Sequence, residues 1–286
     1  MTAPERESHP AQLTLPFDWQ QWYARWEMMQ NAYLPCRKER FELICHLAGF
    51  PAGAELSILD LGCGPGSLGF YALQHFPNAS VLAVDTDPRL IAMGEAVAAN
   101  QAANVVFVNA DTRNPQFWSS FDEMFHLVIS ATALHWLTVE HLAEVYRRIY
   151  SALQPGGWFF NADHIASDDP DTQKTYRTLL NAWQRLNFNH LAAEDWNSYW
   201  QDLTEAFTGA GMNFPQVAPD TWEGSDDGLP RSVHFARLND LGFERAQLHW
   251  QYLGEALLAA QKPAWSRQKL FKAYARLDAS QREGVT

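Results

Sequence analysis

The sequence predicts an α/β fold in which helices cover both faces of a mostly parallel, doubly wound sheet. Short apolar segments of strand length alternate with helix-like segments over residues 57–160, and such alternation is typical of βαβ units. A glycine-dense turn joins the first strand directly to the first helix. Every apolar run is shorter than the roughly 20 residues that span a membrane, so we expect no membrane-embedded segment.

The first strand, Ser57–Leu61, and the turn Gly62–Gly66 are the most informative part of the chain. The three glycines of the turn adopt backbone torsions closed to other residues and let a ligand approach the main chain. A helix predicted over Leu68–Phe76 directs its free N–H groups toward that ligand. Asp60 adds a carboxylate where the strand ends. This arrangement predicts a cofactor-binding turn.

Two kinds of cofactor are compatible with the pattern of this turn. Residues 64–69 satisfy the dinucleotide pattern G-x-G-x-x-G, with the acidic Asp85 21 residues beyond Gly64. Three features oppose a dinucleotide: Gly69 falls inside the predicted helix, Asp60 would repel a pyrophosphate, and Pro65 removes a backbone donor. S-adenosylmethionine carries an amino group and a positive sulfur but no phosphate, and it tolerates all three.

The next two strands, Val81–Asp85 and a strand over residues 105–111, also end in acids. With these motifs the sequence resembles the class I S-adenosylmethionine-dependent methyltransferases of the small-molecule type, over roughly residues 40–165 and again over 233–262. The resemblance implies that Asp85 binds the ribose hydroxyls, which suit its two oxygens, and that Asp111 contacts the adenine. The implied cofactor-binding residues are Asp60, Gly62, Cys63, Gly64, Gly66, Asp85, Thr86, Asp111, Thr112, Ser130 and Tyr33.

The fourth and fifth strands are predicted at 127–130 and 158–163, the fifth after a turn at 153–157. Between them, residues 139–153 carry an apolar stripe at helical spacing. The helix predicted over 88–100 begins with proline, a good first-turn residue. Many relatives carry an acid just before strand four, where this chain has His126. The acid in relatives is mostly structural, and a role for His126 as a base is the alternative.

After strand five the alternation breaks, and residues 164–230 are predicted to form a largely helical insertion over the carboxyl ends of the strands. A helix at 233–242 and strands at 243–252 and 254–261 follow. The resemblance implies that these strands form a hairpin, which gives seven strands with the last antiparallel. We expect an N-terminal helical lid region at 1–45, a cofactor-binding domain at 46–262 and a helical tail at 263–286.

The N-terminal region is dense in aromatic residues at helical spacing, among them Trp22, Trp26 and Tyr33. One interpretation is a helix that packs its apolar face on the core. The other is a lid over the cofactor, as relatives often build from this segment. Aromatic rings also attract a sulfonium through their quadrupoles. One helix can do both, and Tyr33 is the residue that we expect at the site.

Two histidines at strand ends, His135 and His164, are the candidate general bases. A base is needed only where the acceptor must lose a proton, so a carboxylate acceptor needs none. Alternatively, His135 packs beside Trp136 and His164 is a surface residue. No metal-ligand spacing is present, so we predict no metal.

The composition of the chain restricts the class of molecule that it can take as a partner. The formal net charge of −12 argues against nucleic acid, whose phosphates require a basic surface. We therefore expect a small-molecule acceptor. The three cysteines fit a reducing compartment, and Met1–Gln12 lacks the apolar stretch of a signal peptide. Both observations predict a cytoplasmic protein.

Three classes of function are compatible with the sequence. The first and favoured one is a methyltransferase acting on an oxygen or nitrogen of a small molecule. The second is another enzyme on the same fold, either an NAD-dependent oxidoreductase or a protein that uses S-adenosylmethionine for other chemistry. The third is a protein that binds S-adenosylmethionine without catalysis.

Overall fold

The computed structural model describes residues 17–215 and 223–264 of the 286-residue chain. The strands are β1 Ser57–Leu61, β2 Ser80–Asp85, β3 Val105–Asn109, β4 Phe125–Ala131, β5 Leu153–His164, β6 Glu244–Tyr252 and β7 Glu255–Gln261. The helices are α1 Trp19–Tyr33, α2 Arg37–Ala48, α3 Ser67–His75, α4 Pro88–Gln101, α5 Val139–Ala152, α6 Pro170–Leu191, α7 Trp196–Gly209 and α8 Arg231–Asp240. Short 3-10 helices lie at Pro115–Ser120 and Leu134–Trp136.

Within the described residues these strands form one seven-stranded sheet, in the order β3-β2-β1-β4-β5-β7-β6. Strands β1 to β5 pair in parallel, whereas β7 runs antiparallel to both of its neighbours. The predicted fold class is therefore confirmed. The strand order reverses between β1 and β4, and ligands of open α/β sheets bind at the carboxyl ends of strands at such a reversal. The glycine turn after β1 lies at this position.

The sheet is buried on both faces. Ile58 belongs to the hydrophobic cluster on one face, and Leu59 and Leu61 belong to the cluster on the other. All three are 0% exposed, and each contributes about 1.5–3 kcal/mol through burial. Because successive side chains of a strand point to opposite faces, β1 is apolar throughout when helices cover both sides. This packing gives the glycine turn a rigid base.

Several element boundaries differ from the predictions, and two of these differences change the position of a predicted feature. Strand β3 ends at Asn109, so Asp111 follows the strand instead of ending it. The predicted turn at 153–157 lies inside the long strand β5, whose pairing with β4 shifts register between Phe125 and Leu127. A β-bulge absorbs an extra residue without ending a strand. Glycines at such a position therefore do not by themselves show that a strand begins after them.

The insertion predicted at 164–230 contains α6 and α7 in its described part. Helix α1 packs against both of them and against α4. Trp22, Trp26 and Met29 of α1 are buried in one cluster with Tyr199 and Leu203 of α7. The aromatic N-terminal helix is thus core-forming toward the insertion, as the packing interpretation requires.

The domain limits at 45, 164, 230 and 262 stay predictions. The Met1–Gln12 segment and the tail beyond residue 264 lie outside the described residues. Across 17–215 and 223–264, no helix combines the length and the hydropathy needed to cross a membrane.

Candidate active site

The turn after β1 is held in a conformation that glycine favours. Gly62 and Gly64 have φ angles of 63° and 55°, in the left-handed region where other residues are strained. A Cβ on Gly62 would lie 2.3 Å from the Cβ of Ala133. The turn therefore depends on glycine both for its torsions and for its close contact with the segment after β4.

Two carboxylates brace this turn by accepting backbone hydrogen bonds. Asp85, at the end of β2, accepts from the N–H of Gly64 at 2.8 Å and from that of Asp87 at 2.9 Å. Asp60, at the end of β1, accepts through Oδ2 from the N–H of Gly69 at 3.0 Å. Its other oxygen is buried without a protein partner among the described residues.

Both carboxylates have raised pKa values. Burial raises the pKa of Asp60 to about 7 against the opposing hydrogen bond from Gly69, and the charge of Asp85 adds to the rise. Burial also raises the pKa of Asp85 to about 6, which the hydrogen bonds from Asp87 and Gly64 offset in part. A buried carboxylate gains from a cationic or hydrogen-donating ligand, so this end of the cavity suits positive charge.

Asp111 is in a different electrostatic environment. Arg113 binds both of its carboxylate oxygens through Nε, at 3.1 Å and 3.0 Å, and through Nη2 at 2.8 Å. Burial raises the pKa of Asp111, but the hydrogen bonds and charge of Arg113 outweigh burial and leave it below its ordinary value. Arg113 also forms an ion pair with Glu223 at 3.4 Å. The motif did not predict these partners of Asp111.

One cavity of about 1240 Å³ connects most of the predicted site residues. Its walls include the following predicted residues: Asp60, Gly62, Cys63, Gly64, Asp85, Thr86, Asp111, Thr112, Tyr33, His135 and His164. The cavity runs from the glycine turn past the ends of β2 and β4 to the start of β7. The proposed cofactor-binding and catalytic residues thus share one space, although their individual roles stay predictions.

The structure does not place Ser130 or Gly66 on the cavity wall. Ser130 is 0% exposed and its hydroxyl donates to the carbonyl of Leu61 at 2.8 Å. Gly66 faces the ring of Phe107, which a Cβ would approach to 2.7 Å. Ser130 joins two strands and Gly66 allows close packing, so neither side-chain position is available for direct contact with a ligand in the cavity.

Helix α1 also lies over the cavity, as the lid interpretation requires. Trp26 and Tyr33 line it. The Tyr33 hydroxyl accepts from the backbone N–H of Trp196 at 3.1 Å, and the Tyr33 carbonyl accepts from Gln184 at 3.0 Å. Arg25 of α1 binds Glu194 at 2.7 Å. These bonds join α1 to the insertion, so the two segments form one cover.

His135 follows β4 and His164 ends β5, and the part of the cavity that these two residues line is called its histidine end. Their rings are 4.5 Å apart and nearly perpendicular. Nδ1 of His135 lies 2.7 Å from a carboxylate oxygen of Asp163, and Nδ1 of His164 forms an ion pair with Glu255. Their predicted role as bases stays untested, but neither is an ordinary surface residue, since each ring is paired with a buried acid.

The acids and the arginine that hold these histidines escaped the sequence reasoning. Asp163 is the last residue but one of β5, and Glu255 opens β7, next to the predicted hairpin turn. Arg40 lies in α2 and donates to Glu255 at 3.1 Å. All three residues are at most 2% exposed. No motif marks them, and the only signal was an acid at the tip of a hairpin whose strands flank the site.

The insertion closes the histidine end of the cavity. Arg177 of α6 forms an ion pair with Asp227 in the loop before α8. That loop runs directly over the histidine backbones, because a Cβ on Gly224 or Gly228 would approach the carbonyl of His135 or His164 to 2.1 Å. The cover over this end therefore comes from residues far along the chain.

His126 lies away from the cavity and has a structural contact. Its Nδ1 accepts a hydrogen bond from the backbone N–H of Ser57 at 3.0 Å, and burial lowers its pKa. The ring thus provides the acceptor that an acid would provide at this position. Across the described ranges, no group of three or more His, Cys, Asp or Glu side chains is arranged to hold a metal; the metal prediction stays untested.

The residues around the glycine turn fit S-adenosylmethionine better than a dinucleotide. Gly69, the third glycine of the dinucleotide pattern, lies within α3, and its backbone N–H donates a hydrogen bond to Asp60. The buried Asp60 and the half-buried Asp85 border the turn where a pyrophosphate would lie. Asp60 and Asp85 would hold the amino group and ribose of S-adenosylmethionine, and the aromatic Trp26 and Tyr33 face the same cavity.

Comparison with known proteins agrees with this fit. Residues 58–157 match the family model described as "Methyltransferase domain". The chain is 31% identical over 137 residues to the trans-aconitate 2-methyltransferase of Methylobacterium nodulans, which covers 47% of this chain and 48% of that protein. It is 33% identical over 101 residues to that of Mycobacterium tuberculosis, or 35% of this chain and 34% of that protein. The chain therefore spans about half or less of these curated relatives.

Solved structures show the same fold at low sequence identity. An O-methyltransferase family protein from Burkholderia thailandensis superimposes with a TM-score of 0.53 at 14% identity, covering 87% of this chain and 70% of that one. A candidate S-adenosylmethionine-dependent methyltransferase from Methanococcus maripaludis gives 0.53 at 14% identity, covering 91% of this chain and all of that one.

The fold, the glycine turn and the acids at the strand ends define a nucleoside-binding α/β protein of the methyltransferase type. The comparisons support a methyltransferase domain of the class I S-adenosylmethionine-dependent type in this chain, with the family match at residues 58–157. Its cofactor is S-adenosylmethionine.

Proposed function

We propose that this protein transfers a methyl group from S-adenosylmethionine to an oxygen or nitrogen of a small-molecule acceptor. One observation carries the proposal: a single cavity joins the acid-braced glycine turn to a pair of histidines, each of which is held by a buried acid. A protein that only binds the cofactor would need only the part of the cavity at the glycine turn. The paired histidines provide a second part, at which an acceptor can be oriented.

The bound cofactor supplies a methyl group already activated by its positive sulfur. The chain's main task is therefore to align the acceptor, and correct placement can contribute several kcal/mol. Asp60 and Asp85 fix the cofactor end, while α1 and the insertion exclude water from above. Where the acceptor is a hydroxyl or a protonated amine, His135, or His164 in its neutral form, accepts the departing proton at Nε2, because Nδ1 of each ring faces a carboxylate.

Among oxygen acceptors, the cavity favours a carboxylate. Burial lowers the pKa of His164, but the charges of Glu255 and Asp163 outweigh burial and raise it above its ordinary value. A protonated imidazole at this part of the cavity attracts an anion; Arg177 also lines the cavity, but Asp227 pairs with it. Two curated relatives carry the name trans-aconitate 2-methyltransferase, and that name describes an acidic small molecule.

A methyl-transfer assay tests this proposal. Purified protein is incubated with methyl-labelled S-adenosylmethionine and matched acceptors: di- and tricarboxylates, their amides, phenols and amines. We expect label in a base-labile ester of a carboxylate and little transfer to the corresponding amide. Labelled amines or phenols only would contradict the carboxylate preference, and no transfer to any acceptor would contradict catalysis.

A thermal-shift experiment separates the cofactor from the NAD alternative. We expect S-adenosylmethionine and S-adenosylhomocysteine to raise the melting temperature, since a ligand that binds only the folded state stabilises it, while NAD leaves it unchanged. A shift with NAD alone would contradict the assignment.

The proposal also covers partners and location. The net charge of −12 supports a small acceptor over nucleic acid. Cysteines at 36, 45 and 63 are free in the structure, which supports the proposed cytoplasmic location. Fractionation of cells that express the tagged protein tests the location.

A further inference from the structure

The histidine end of the cavity is held by a continuous chain of charged contacts. Arg40 donates through Nη1 to Oε2 of Glu255 at 3.1 Å, and the other oxygen of Glu255 pairs with Nδ1 of His164. The backbone N–H of His164 donates to Asp163 at 2.9 Å. Asp163 also holds His135 twice, through the backbone N–H at 3.1 Å and Nδ1 at 2.7 Å. The chain thus runs from α2 through β7 and β5 to the segment after β4.

These groups are buried, so their pairing has a large effect. Glu255 is 0%, Asp163 1% and Arg40 2% exposed. A well-packed apolar set is often no less stable than a buried ion pair, whereas removing one partner leaves a charge that costs several kcal/mol. Neither of the two strands needs charge here for its packing, since Leu257 and Phe160 nearby are fully buried apolar residues. A stability role therefore gives no reason for charge at this position.

The charged groups around His164 carry a net negative charge that one proton on its ring would balance. Glu255 and Asp163 are two acids, and Arg40 is one permanent cation. His135 is the other titratable group in contact with the His164 ring, and Arg177 and Asp227 pair with each other across the cavity. Two carboxylates against one guanidinium leave one negative charge, which a proton on His164 balances.

The free side of the His164 ring is accessible. His164 lines the cavity, and its side chain is 17% exposed. With Nδ1 held by Glu255, Nε2 is the ring atom that a molecule in the cavity can contact. A protonated His164 therefore presents one N–H donor in a fixed direction.

We propose that Glu255 and Arg40 are positioning residues that orient and charge His164, so that its Nε2–H binds the anionic group of the acceptor. The inference rests on the proposed function for the identity of the acceptor. Glu255 selects the protonated ring and sets its direction, because a carboxylate on Nδ1 stabilises an imidazolium. Arg40 acts on His164 indirectly, through Glu255, since it fixes the second oxygen of Glu255 and keeps that carboxylate ionised.

A nuclear magnetic resonance titration of the histidine ring, compared between variants, tests the positioning role without any turnover. The His164 signals are assigned by their loss in His164→Asn, and their pH midpoint is then measured in the wild-type protein, Glu255→Gln and Glu244→Gln. We expect Glu255→Gln to lower the midpoint clearly, whereas the exposed Glu244 in the adjacent strand leaves it unchanged. An unchanged midpoint in Glu255→Gln would overturn the proposal.

Steady-state kinetics then test the link to the acceptor. We expect Glu255→Gln and His164→Asn each to raise KM for the carboxylate acceptor about tenfold, the size of one lost charge-assisted hydrogen bond, with a smaller change in kcat. Glu255→Asp, which keeps the charge, should recover part of the loss. Equal KM values in the wild type and His164→Asn would overturn the proposal.

Folding and the proposed function are controlled separately. Circular dichroism and thermal unfolding identify any variant that fails to fold; in that case Arg40→Lys, which keeps the charge but not the fork, replaces Glu255→Gln and is expected to shift the midpoint in the same direction. If the wild type transfers no methyl group, the proposed function fails while the titration still decides whether Glu255 controls His164.

Discussion

The two ends of the cavity are built in different ways. The cofactor end consists of consecutive segments: β1 with Asp60, its glycine turn, β2 with Asp85, and Asp111 just after β3. The acceptor end combines Arg40, His135, Asp163 and Glu255, which are up to 215 positions apart. The difference indicates that a local backbone motif can form a cofactor-binding turn, whereas the group that we propose to bind the acceptor depends on several distant segments.

The largest expected effect comes from the turn itself. Gly62→Ala places a Cβ 2.3 Å from Ala133 and strains a φ of 63°, so we expect about 2–4 kcal/mol lower free energy of unfolding and loss of cofactor binding. Denaturant unfolding and thermal shift measure both. The control is Gly53→Ala, where no atom lies within 4 Å of the added Cβ. Equal stability of the two variants would show that the cofactor end adapts more freely than its packing indicates.

Asp85→Asn should separate the two ends. It weakens the brace on Gly64 and removes the charge expected at the ribose, so we expect affinity for S-adenosylhomocysteine to fall about tenfold or more. The His164 titration should not move, because Asp85 belongs to the other end. Calorimetry and the ring titration measure the two outcomes, with the exposed Glu95→Gln as control. A shifted His164 midpoint would show that the ends are electrostatically coupled.

The pH dependence of cofactor binding sharpens the same comparison. The pKa values of Asp60 and Asp85 are raised to about 7 and about 6, above the ordinary carboxyl value. Their contribution to stability is therefore present at low pH in the free protein and is lost as pH rises through those values. Because the cationic cofactor favours the ionised forms, we expect S-adenosylmethionine to bind more tightly at about pH 8 than at about pH 5.5.

Calorimetry at the two pH values checks this prediction, and Asp60→Asn should reduce the difference because one titrating group is gone. Weaker binding at the higher pH in the wild type would contradict the assignment of these carboxylates to the cofactor end.

The smallest expected effect concerns the cover that spans both ends. Tyr33→Phe removes the acceptor for the backbone N–H of Trp196, which should lower the free energy of unfolding by about 0.5–1.5 kcal/mol. Denaturant unfolding measures this change against Tyr252→Phe, whose ring is exposed on β6. A loss of cofactor affinity larger than the loss of stability would show that Tyr33 contacts the ligand directly.

Sequence reasoning succeeded where a residue acts through its own segment. The strand Ser57–Leu61 was predicted with its observed bounds. Asp85, at the end of the next strand, was predicted at the site and accepts a hydrogen bond from Gly64 of the glycine turn. It was less accurate where pairing between segments decides the outcome. Ser130 was predicted at the site, but its hydroxyl donates a hydrogen bond to a carbonyl of the neighbouring strand. Gly156 and Gly157 were predicted to form a turn, but they lie inside the strand β5, whose pairing with β4 contains a bulge.

The sequence by itself determined the fold class, the glycine turn and the acids beside that turn, because alternation of polarity and glycine torsions are local properties of a chain. Only the tertiary structure decided which groups hold His164 and His135. Glu255 and Arg40 carry no motif, since an ion pair requires only that two side chains meet, and the packing of β7 and α2 against β5 brings them together.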